Sequence, residues 1–176
     1  LKVFCDAFEF QYKFSGLSKY KPRERNLPTD DEIIEAWHKI QIEKISGGDC
    51  EGVGASWGWV YGVIATYGLR PHEILAIDYE KSFQPKNYKL YINETITEGT
   101  KTGSRVVFPL HFEWVDLFDL ANPKTKVLIN KTIVNFSILL GIRTRQREIN
   151  FPAYNLRHRY AVRGHELGVP VDDMAR

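Results

Sequence analysis

The sequence predicts an α+β fold that is mainly α-helical and carries a small antiparallel three-stranded sheet. Three observations support this prediction. Thr29, followed three residues later by Glu32, forms the pattern of a helix capping box. Residues 54–67 are apolar nearly all round, which is typical of a helix buried in a core. Residues 88–92 alternate with the two-residue period of a strand.

The helices are predicted in order along the chain. The capped helix ends at the glycine pair 47–48, and its apolar stripe comprises Ile33, Trp37, Ile40 and Ile45. The buried helix 54–67 ends at Gly68, and Pro71 suits the first turn of a further helix. The remaining helices are predicted over residues 111–120, 125–140 and 153–167.

The strands are predicted near residues 76–80, 88–96 and 105–110. Residues 97–104 are rich in turn formers and would link two of these strands. Upstream of all these elements, residues 19–28 carry charges and two prolines, as linkers often do. A domain boundary is therefore predicted there.

Charge and composition exclude few partners. The chain of 176 residues has 24 Lys and Arg against 22 Asp and Glu, a net charge of +2. The positive charge lies late, since residues 140–176 hold seven arginines against four acids. Cys5 and Cys50 are too few for a disulfide framework or a cysteine metal site, so free thiols are expected. No apolar run approaches the ~18 residues of a membrane span.

A first candidate segment follows the buried helix and reads GLRPHEIL, residues 68–75. Arg70, directly after a glycine turn, can point its guanidinium into a cleft, and Glu73 is close enough to orient it. The alternative is a surface arginine that caps a helix. His72, in the same segment, is expected to be a surface histidine.

Two further segments carry cations. TKTGSRVVFP, residues 100–109, places Lys101 on a turn, where it could reach an anionic ligand or remain a solvated lysine. YNLRHRYA, residues 154–161, would be helical, with Tyr154 and Arg157 on one face. Its core-facing stripe is predicted to be Leu156, Tyr160 and Leu167. Arg157 beside that stripe would be half-buried and would need a phosphate, or an acid within the fold.

In this order, the three segments resemble the catalytic domain of the tyrosine recombinases, the phage-integrase family. GLRPHEIL is similar to box I, TKTGSRVVFP to the hairpin with the catalytic lysine, and YNLRHRYA to box II. The tyrosine in box II resembles the cyanobacterial recombinases that excise DNA elements in heterocysts. The resemblance implies a tyrosine-recombinase catalytic domain over residues 28–176. Residues 1–27 would then be the end of a preceding domain and a linker.

The resemblance also implies roles for single residues. Arg70, Lys101 and Arg157 would bind and activate the scissile phosphate. Glu73 would be the supporting acid, and His158 a structural hydrogen-bonding residue. Tyr154 stands where the family usually has His or Lys, and a phenol of pKa near 10 is a poor base at neutral pH.

The implied reaction is site-specific DNA recombination, by integration or excision, through a 3′-phosphotyrosyl intermediate. It needs no cofactor and no metal. The nucleophilic tyrosine would follow Arg176, so the chain is expected to be C-terminally incomplete and unable to cleave alone. A recombinase-like module that binds DNA without cutting it is the alternative, and a generic α+β domain is a second one.

The implied partner is double-stranded DNA, bound by a homotetramer in a synaptic complex, although the fragment alone could be monomeric. No membrane is involved, and a cytoplasmic, nucleoid-associated location in a prokaryote is expected. Backbone contacts are predicted for the arginines before and within box II, namely Arg143, Arg145, Arg147 and Arg159. The alternative for the first three is a solvated charged loop.

Overall fold

The computed structural model describes residues 26–42, 52–83, 88–93, 103–129 and 131–170. Within these ranges the α-helices are α1 (Asp30–Ile40), α2 (Val53–Tyr67), α3 (Glu113–Leu117), α4 (Ile133–Gln146) and α5 (Tyr154–Glu166). Two 3-10 helices span Pro71–Ala76 and Lys126–Leu128, and the strands are β1 (Leu90–Ile92) and β2 (Arg105–Val107). The mainly helical α+β prediction is confirmed.

Helix α1 begins as the capping box predicts. The Thr29 hydroxyl accepts a hydrogen bond from the Glu32 N–H at 3.2 Å, and the Thr29 N–H donates to the Glu32 carboxylate at 2.7 Å. The predicted end at the glycine pair 47–48 is wrong, because the helix ends at Ile40. The buried Arg143 guanidinium binds the carbonyl oxygens of Ile40 and Ile42 and so satisfies this helix end early. Ile45 and the glycine pair lie outside the described residues.

Helix α2 is the centre of the core, as its apolar sequence predicts. All of its residues from Ser56 to Tyr67 are buried. It packs against α1 on one side and against α5 on another, while α4 packs on the 3-10 helix Pro71–Ala76. The largest fully buried side chains around it include Trp59, Tyr61, Tyr67, Leu69, Phe118 and Phe136. This packing gives the segment that follows α2 a fixed position.

The sheet has two strands within the described residues. β1 and β2 pair antiparallel, with Leu90 opposite Val107 and Ile92 opposite Arg105. The strand predicted near 76–80 contributes a single antiparallel bridge, between Ile77 and Ile92. The 3-10 helix occupies the residues before it and a turn follows, so no room for a longer strand is left there. The sheet therefore differs from the predicted three strands.

The later helices are shifted or shortened relative to their predicted bounds. The predicted helix 125–140 is a 3-10 turn followed by α4, and 111–120 is helical only over Glu113–Leu117. Helix α5 matches its prediction, but Leu167 was wrongly placed in its core stripe, since it is 60% exposed. Arg163 is buried instead, with its guanidinium 4.4 Å from the centre of the Trp114 ring. In the described part of the chain, no helix is long and apolar enough to cross a membrane.

Candidate functional site

The site begins at the glycine that ends α2. Gly68 has φ of 63°, in the left-handed region, and its N–H donates to the Ile64 carbonyl at 2.9 Å. A Cβ at this position would also overlap the ring of Tyr160 on α5. Glycine is thus required both for the backbone turn and for the approach of α5. The turn delivers Arg70 to the start of the following 3-10 helix.

Glu73 is a fully buried carboxylate with two arginine partners. Its Oε1 accepts from Arg70 Nη1 at 2.9 Å, and its Oε2 accepts from Arg105 Nη2 at 2.8 Å. The backbone N–H of Arg70 also donates to Oε2, at 2.8 Å. Both carboxylate oxygens are therefore engaged, one arginine coming from the α2 turn and the other from β2.

Glu73 remains ionised despite its burial. Burial alone would raise its pKa, but hydrogen bonds and charge from Arg105 and Arg70 outweigh that effect and hold the pKa below its usual value. An ionised carboxylate is what fixes a guanidinium most strongly, since charge-assisted bonds are about twice as strong as neutral ones.

Arg157 reaches the same place from α5. It is half-buried, and its Nη1 donates to the Gly68 carbonyl at 2.6 Å. Burial and the nearby charge of Arg70 lower its pKa. Within the described residues, no acidic side chain forms an ion pair with Arg157. Arg70 and Arg105 bind the Glu73 carboxylate, and the charge of Arg157 interacts with all three. Among the described residues, this cluster has three positive charges against one negative charge, an excess that suits an anion.

The other predicted site residues take different positions. Tyr154 is the first residue of α5 and is 45% exposed. Its ring meets the ring of His158 edge-on, with 4.8 Å between centres. Lys101 lies outside the described residues. The arrangement brings together Arg70, Glu73 and Arg157 and leaves Tyr154 at the edge.

Of the four arginines predicted to contact DNA, three are bound to partners within the protein and one is exposed. Arg143 is buried at the end of α1, and Arg147 donates to the Ile42 carbonyl in the same place. Arg159 lies 3.4 Å from both Asp30 and Glu166. Arg145 is exposed at a surface cavity of about 340 Å³ beside the start of α5. The structure therefore gives Arg143 a role in holding α1, and leaves Arg145 facing solvent.

Sequence reasoning missed Arg105 and misjudged His72. Arg105 and Val107 share the inner face of β2, because side chains alternate along a strand. A cation at a position that faces the core needs a buried acid. The alternation of residues 105–107 in the sequence is therefore the signal that could have identified Arg105. His72 is half-buried, and burial lowers its pKa, with further lowering by the charges of Arg70, Arg105 and Arg157. It therefore lies within the same cluster of charges.

No group of three or more His, Cys, Asp or Glu side chains among the described residues could hold a metal ion. The donors at the site are guanidinium groups, which bind anions.

The comparisons with known proteins give two sequence relatives and one fold. No family model matches the chain. Excisase A of Nostoc sp. (strain PCC 7120 / SAG 25.82 / UTEX 2576) is 32% identical over 188 residues, covering 97% of this chain and 40% of that protein. Excisase C of the same organism is 31% identical, covering 97% of this chain and 36% of that protein. The chain thus spans about two fifths of the length of these relatives.

Among solved structures, a crystal structure of the XerA recombinase has a similar fold. The TM-score is 0.56 at 15% sequence identity, and the match covers 98% of this chain and 61% of that one. At this identity the likeness concerns the fold.

Proposed function

We propose that this chain, a relative of the Nostoc excisases with the fold of a tyrosine recombinase, binds and activates the scissile phosphate in site-specific DNA recombination. The observation that carries the proposal is that Arg70 and Arg105 bind the buried Glu73 carboxylate while Arg157 lies within range of their charges. Among the described residues, the three positive charges of the cluster exceed its one negative charge, and a phosphodiester requires such an excess.

The proposed reaction is a transesterification. The oxygen of a tyrosine hydroxyl attacks phosphorus, and this hydroxyl loses its proton to the solvent or a base. The bond from phosphorus to the 5′ oxygen breaks, and a general acid gives that oxygen a proton, so one proton is lost and one gained. The product is a 3′-phosphotyrosyl link, which a second 5′ hydroxyl later attacks to rejoin the strands. The phosphoester bond is exchanged and never lost, so the proposed reaction needs no cofactor.

The proposed roles follow from the chemistry of each side chain. Arg70 and Arg157 donate to the non-bridging oxygens, whose negative charge increases in the transition state. Lys101 protonates the leaving 5′ oxygen. Tyr154 donates its phenol proton in a hydrogen bond to the phosphate. The His158 ring supports the Tyr154 ring edge-on, with 4.8 Å between the ring centres.

The larger assembly is also proposed. Double-stranded DNA is the partner, with Arg145 as a backbone contact, and a homotetramer forms the synaptic complex. Residues 28–176 form the catalytic domain, after a linker and the end of a preceding domain. A cytoplasmic, nucleoid-associated location in a prokaryote belongs to the same proposal.

Salt-dependent binding to duplex DNA and cleavage of a nicked substrate test the proposal in the protein at its full natural length. We expect Arg70→Ala and Arg157→Ala each to lower the cleavage rate about 10²–10³-fold, as the loss of a donor to a transition-state oxyanion does. Each should also make the slope of log affinity against log salt shallower by about one. Lys131→Ala is the matched control, because it removes one exposed positive charge away from the site. If all three variants behave alike, the proposal is wrong.

One observation favours a second function, a module that holds DNA without cutting it. Tyr154 provides an exposed phenol where an imidazole or ammonium would be the better acid or base. In that case the wild-type protein binds duplex DNA with a steep salt dependence and yields no phosphotyrosyl product, whereas Tyr154→His gains cleavage. Covalent trapping of the DNA on a gel separates the two functions.

A further inference from the structure

Arg105 and Arg70 hold Glu73 from opposite oxygens. Arg70 Nη1 takes Oε1 and Arg105 Nη2 takes Oε2, at 2.9 and 2.8 Å. Glu73 has no exposed surface, so water does not share its lone pairs. The direction of the Arg70 guanidinium therefore depends on the orientation of the Glu73 carboxylate. That orientation is fixed by the hydrogen bonds from both arginines.

The two arginines differ in access. The Arg70 side chain is 25% exposed and the Arg105 side chain only 10%. A guanidinium has five N–H donors, and Arg70 spends one side-chain donor on Glu73 among the described residues. Arg70 thus retains donors toward solvent, where a phosphate would approach, while Arg105 lies deeper on the inner face of β2.

We infer that Arg105 is a positioning residue of the site: its bond to Oε2 fixes the Glu73 carboxylate, which in turn aims Arg70 at the phosphate. The inference rests on the proposed function. Without Arg105, Oε2 keeps the backbone N–H of Arg70 as its one donor among the described residues, and the carboxylate can rotate away from Nη1. The strand β2 and the α2 turn would then no longer be joined at this point.

The same relationship has an electrostatic side. Among the described residues, the charged and titratable groups near Glu73 are Arg70 and His72 from its own segment, Arg105 from β2 and Arg157 from α5. Removing the Arg105 cation raises the pKa of Glu73. A protonated Glu73 accepts only weakly from Arg70, so loss of Arg105 makes the site sensitive to acid in a pH range where the wild-type protein is unaffected.

The experiment compares four variants with the wild-type protein at its full natural length. They are Arg105→Ala, Arg105→Lys, Glu73→Gln and the double variant that combines Arg105→Ala with Glu73→Gln. Cleavage is followed against pH, and duplex binding is followed against salt. We expect Arg105→Ala to cleave at least tenfold more slowly, with its acid limb at higher pH and an unchanged salt slope. Arg105→Lys should recover part of the rate, and the double variant should be no slower than Glu73→Gln alone.

Several results would overturn the inference. If the salt slope of Arg105→Ala becomes shallower by one, Arg105 is a direct phosphate contact. If the rate losses of the two single variants multiply in the double variant, Arg105 and Glu73 act independently. If Arg105→Ala does not fold, Arg105→Met takes its place, because it keeps the length of the side chain but removes the cation and its hydrogen bond. An unshifted acid limb in Arg105→Met contradicts the inference. A wild-type protein that binds no duplex DNA overturns the proposed function, whereas an unimpaired Arg105→Ala overturns this inference alone.

Discussion

Arg157 on α5 and Gly68 at the end of α2 are joined by a hydrogen bond of 2.6 Å between guanidinium Nη1 and the carbonyl oxygen, across 89 residues of sequence. The ring of Tyr160, one turn further along α5, lies against the same glycine. Because Arg70 follows Gly68 by two residues, this contact sets the distance between the two arginines of the proposed phosphate site. A substitution that shifts the turn at Gly68 should therefore displace both Arg70 and Arg157.

Replacing Gly68 by alanine is therefore expected to disturb fold and site together. A left-handed backbone costs a residue with a Cβ about 1–2 kcal/mol, and overlap with the Tyr160 ring adds a further 1–3 kcal/mol. Gly141→Ala is the control, since its added Cβ meets nothing within 4 Å and helix α4 gains about 0.5–1 kcal/mol. Urea unfolding of both variants measures the difference, and equal stabilities would contradict the assigned geometry.

Asp30 predicts a pH dependence of stability. Partial burial raises its pKa, but the hydrogen bond and charge of Arg163, with Arg159 and His111 nearby, outweigh this and lower the pKa below 3.8. An acid with a lowered folded-state pKa stabilises the protein above its unfolded-state pKa and loses that contribution as the pH falls through the folded-state value. The free energy of unfolding should thus fall below about pH 4.

Asp30→Asn measures that contribution. We expect it to lower the free energy of unfolding by about 1 kcal/mol at neutral pH, a charge-assisted bond discounted for the exposure of Asp30, and to flatten the acid dependence. Asp31→Asn removes the same charge from the next, exposed position of α1 and is the control. If the two variants unfold with the same pH dependence, the pairing of Asp30 with Arg163 contributes nothing.

Local signals predicted the elements that local chemistry determines. The Thr29 capping box, the buried helix that ends at Gly68 and the last helix are all seen. The end of α1 escaped prediction because Arg143, 103 residues away, supplies the donors that stop it. The glycine pair 47–48 is the strongest local signal for the end of this helix. The contact with Arg143, which is distant in sequence, ends the helix earlier.

Pairing between distant segments also explains what was missed at the site. Arg70 and Glu73 are three residues apart, so their contact follows from spacing. Arg105 joins them from 32 residues away, and only the strand register brings it there. Buried arginines were likewise hard to foresee, because Arg163 needs both Asp30 and the face of Trp114 to be stable in the interior.

Tyr154→Phe tests whether the phenol acts on the phosphate. The edge-on contact with His158 needs only the ring, so the stability of the protein should change by less than about 0.5 kcal/mol. The cleavage rate should fall about tenfold, since one hydrogen bond worth about 1.4 kcal/mol is lost from the transition state. Single-turnover cleavage measures this. A rate equal to that of the wild-type protein would remove Tyr154 from the proposed mechanism.

Arg143→Ala and Arg145→Ala separate a structural arginine from a DNA contact two residues away. Arg143 is buried and donates to the Ile40 and Ile42 carbonyls. Its removal takes both guanidinium donors from the Ile40 carbonyl and should cost about 2 kcal/mol of stability, while Arg147 still donates to Ile42. Arg145 is exposed, so Arg145→Ala should unfold like the wild-type protein and bind duplex DNA with a salt slope shallower by about one. Chemical unfolding and filter binding over a range of salt concentrations measure both.

A folded Arg143→Ala protein should keep the wild-type salt slope, because the guanidinium that this variant lacks faces the end of α1 and not solvent. The reverse pattern, with Arg143 changing the slope and Arg145 the stability, would place the DNA on the opposite side of α4.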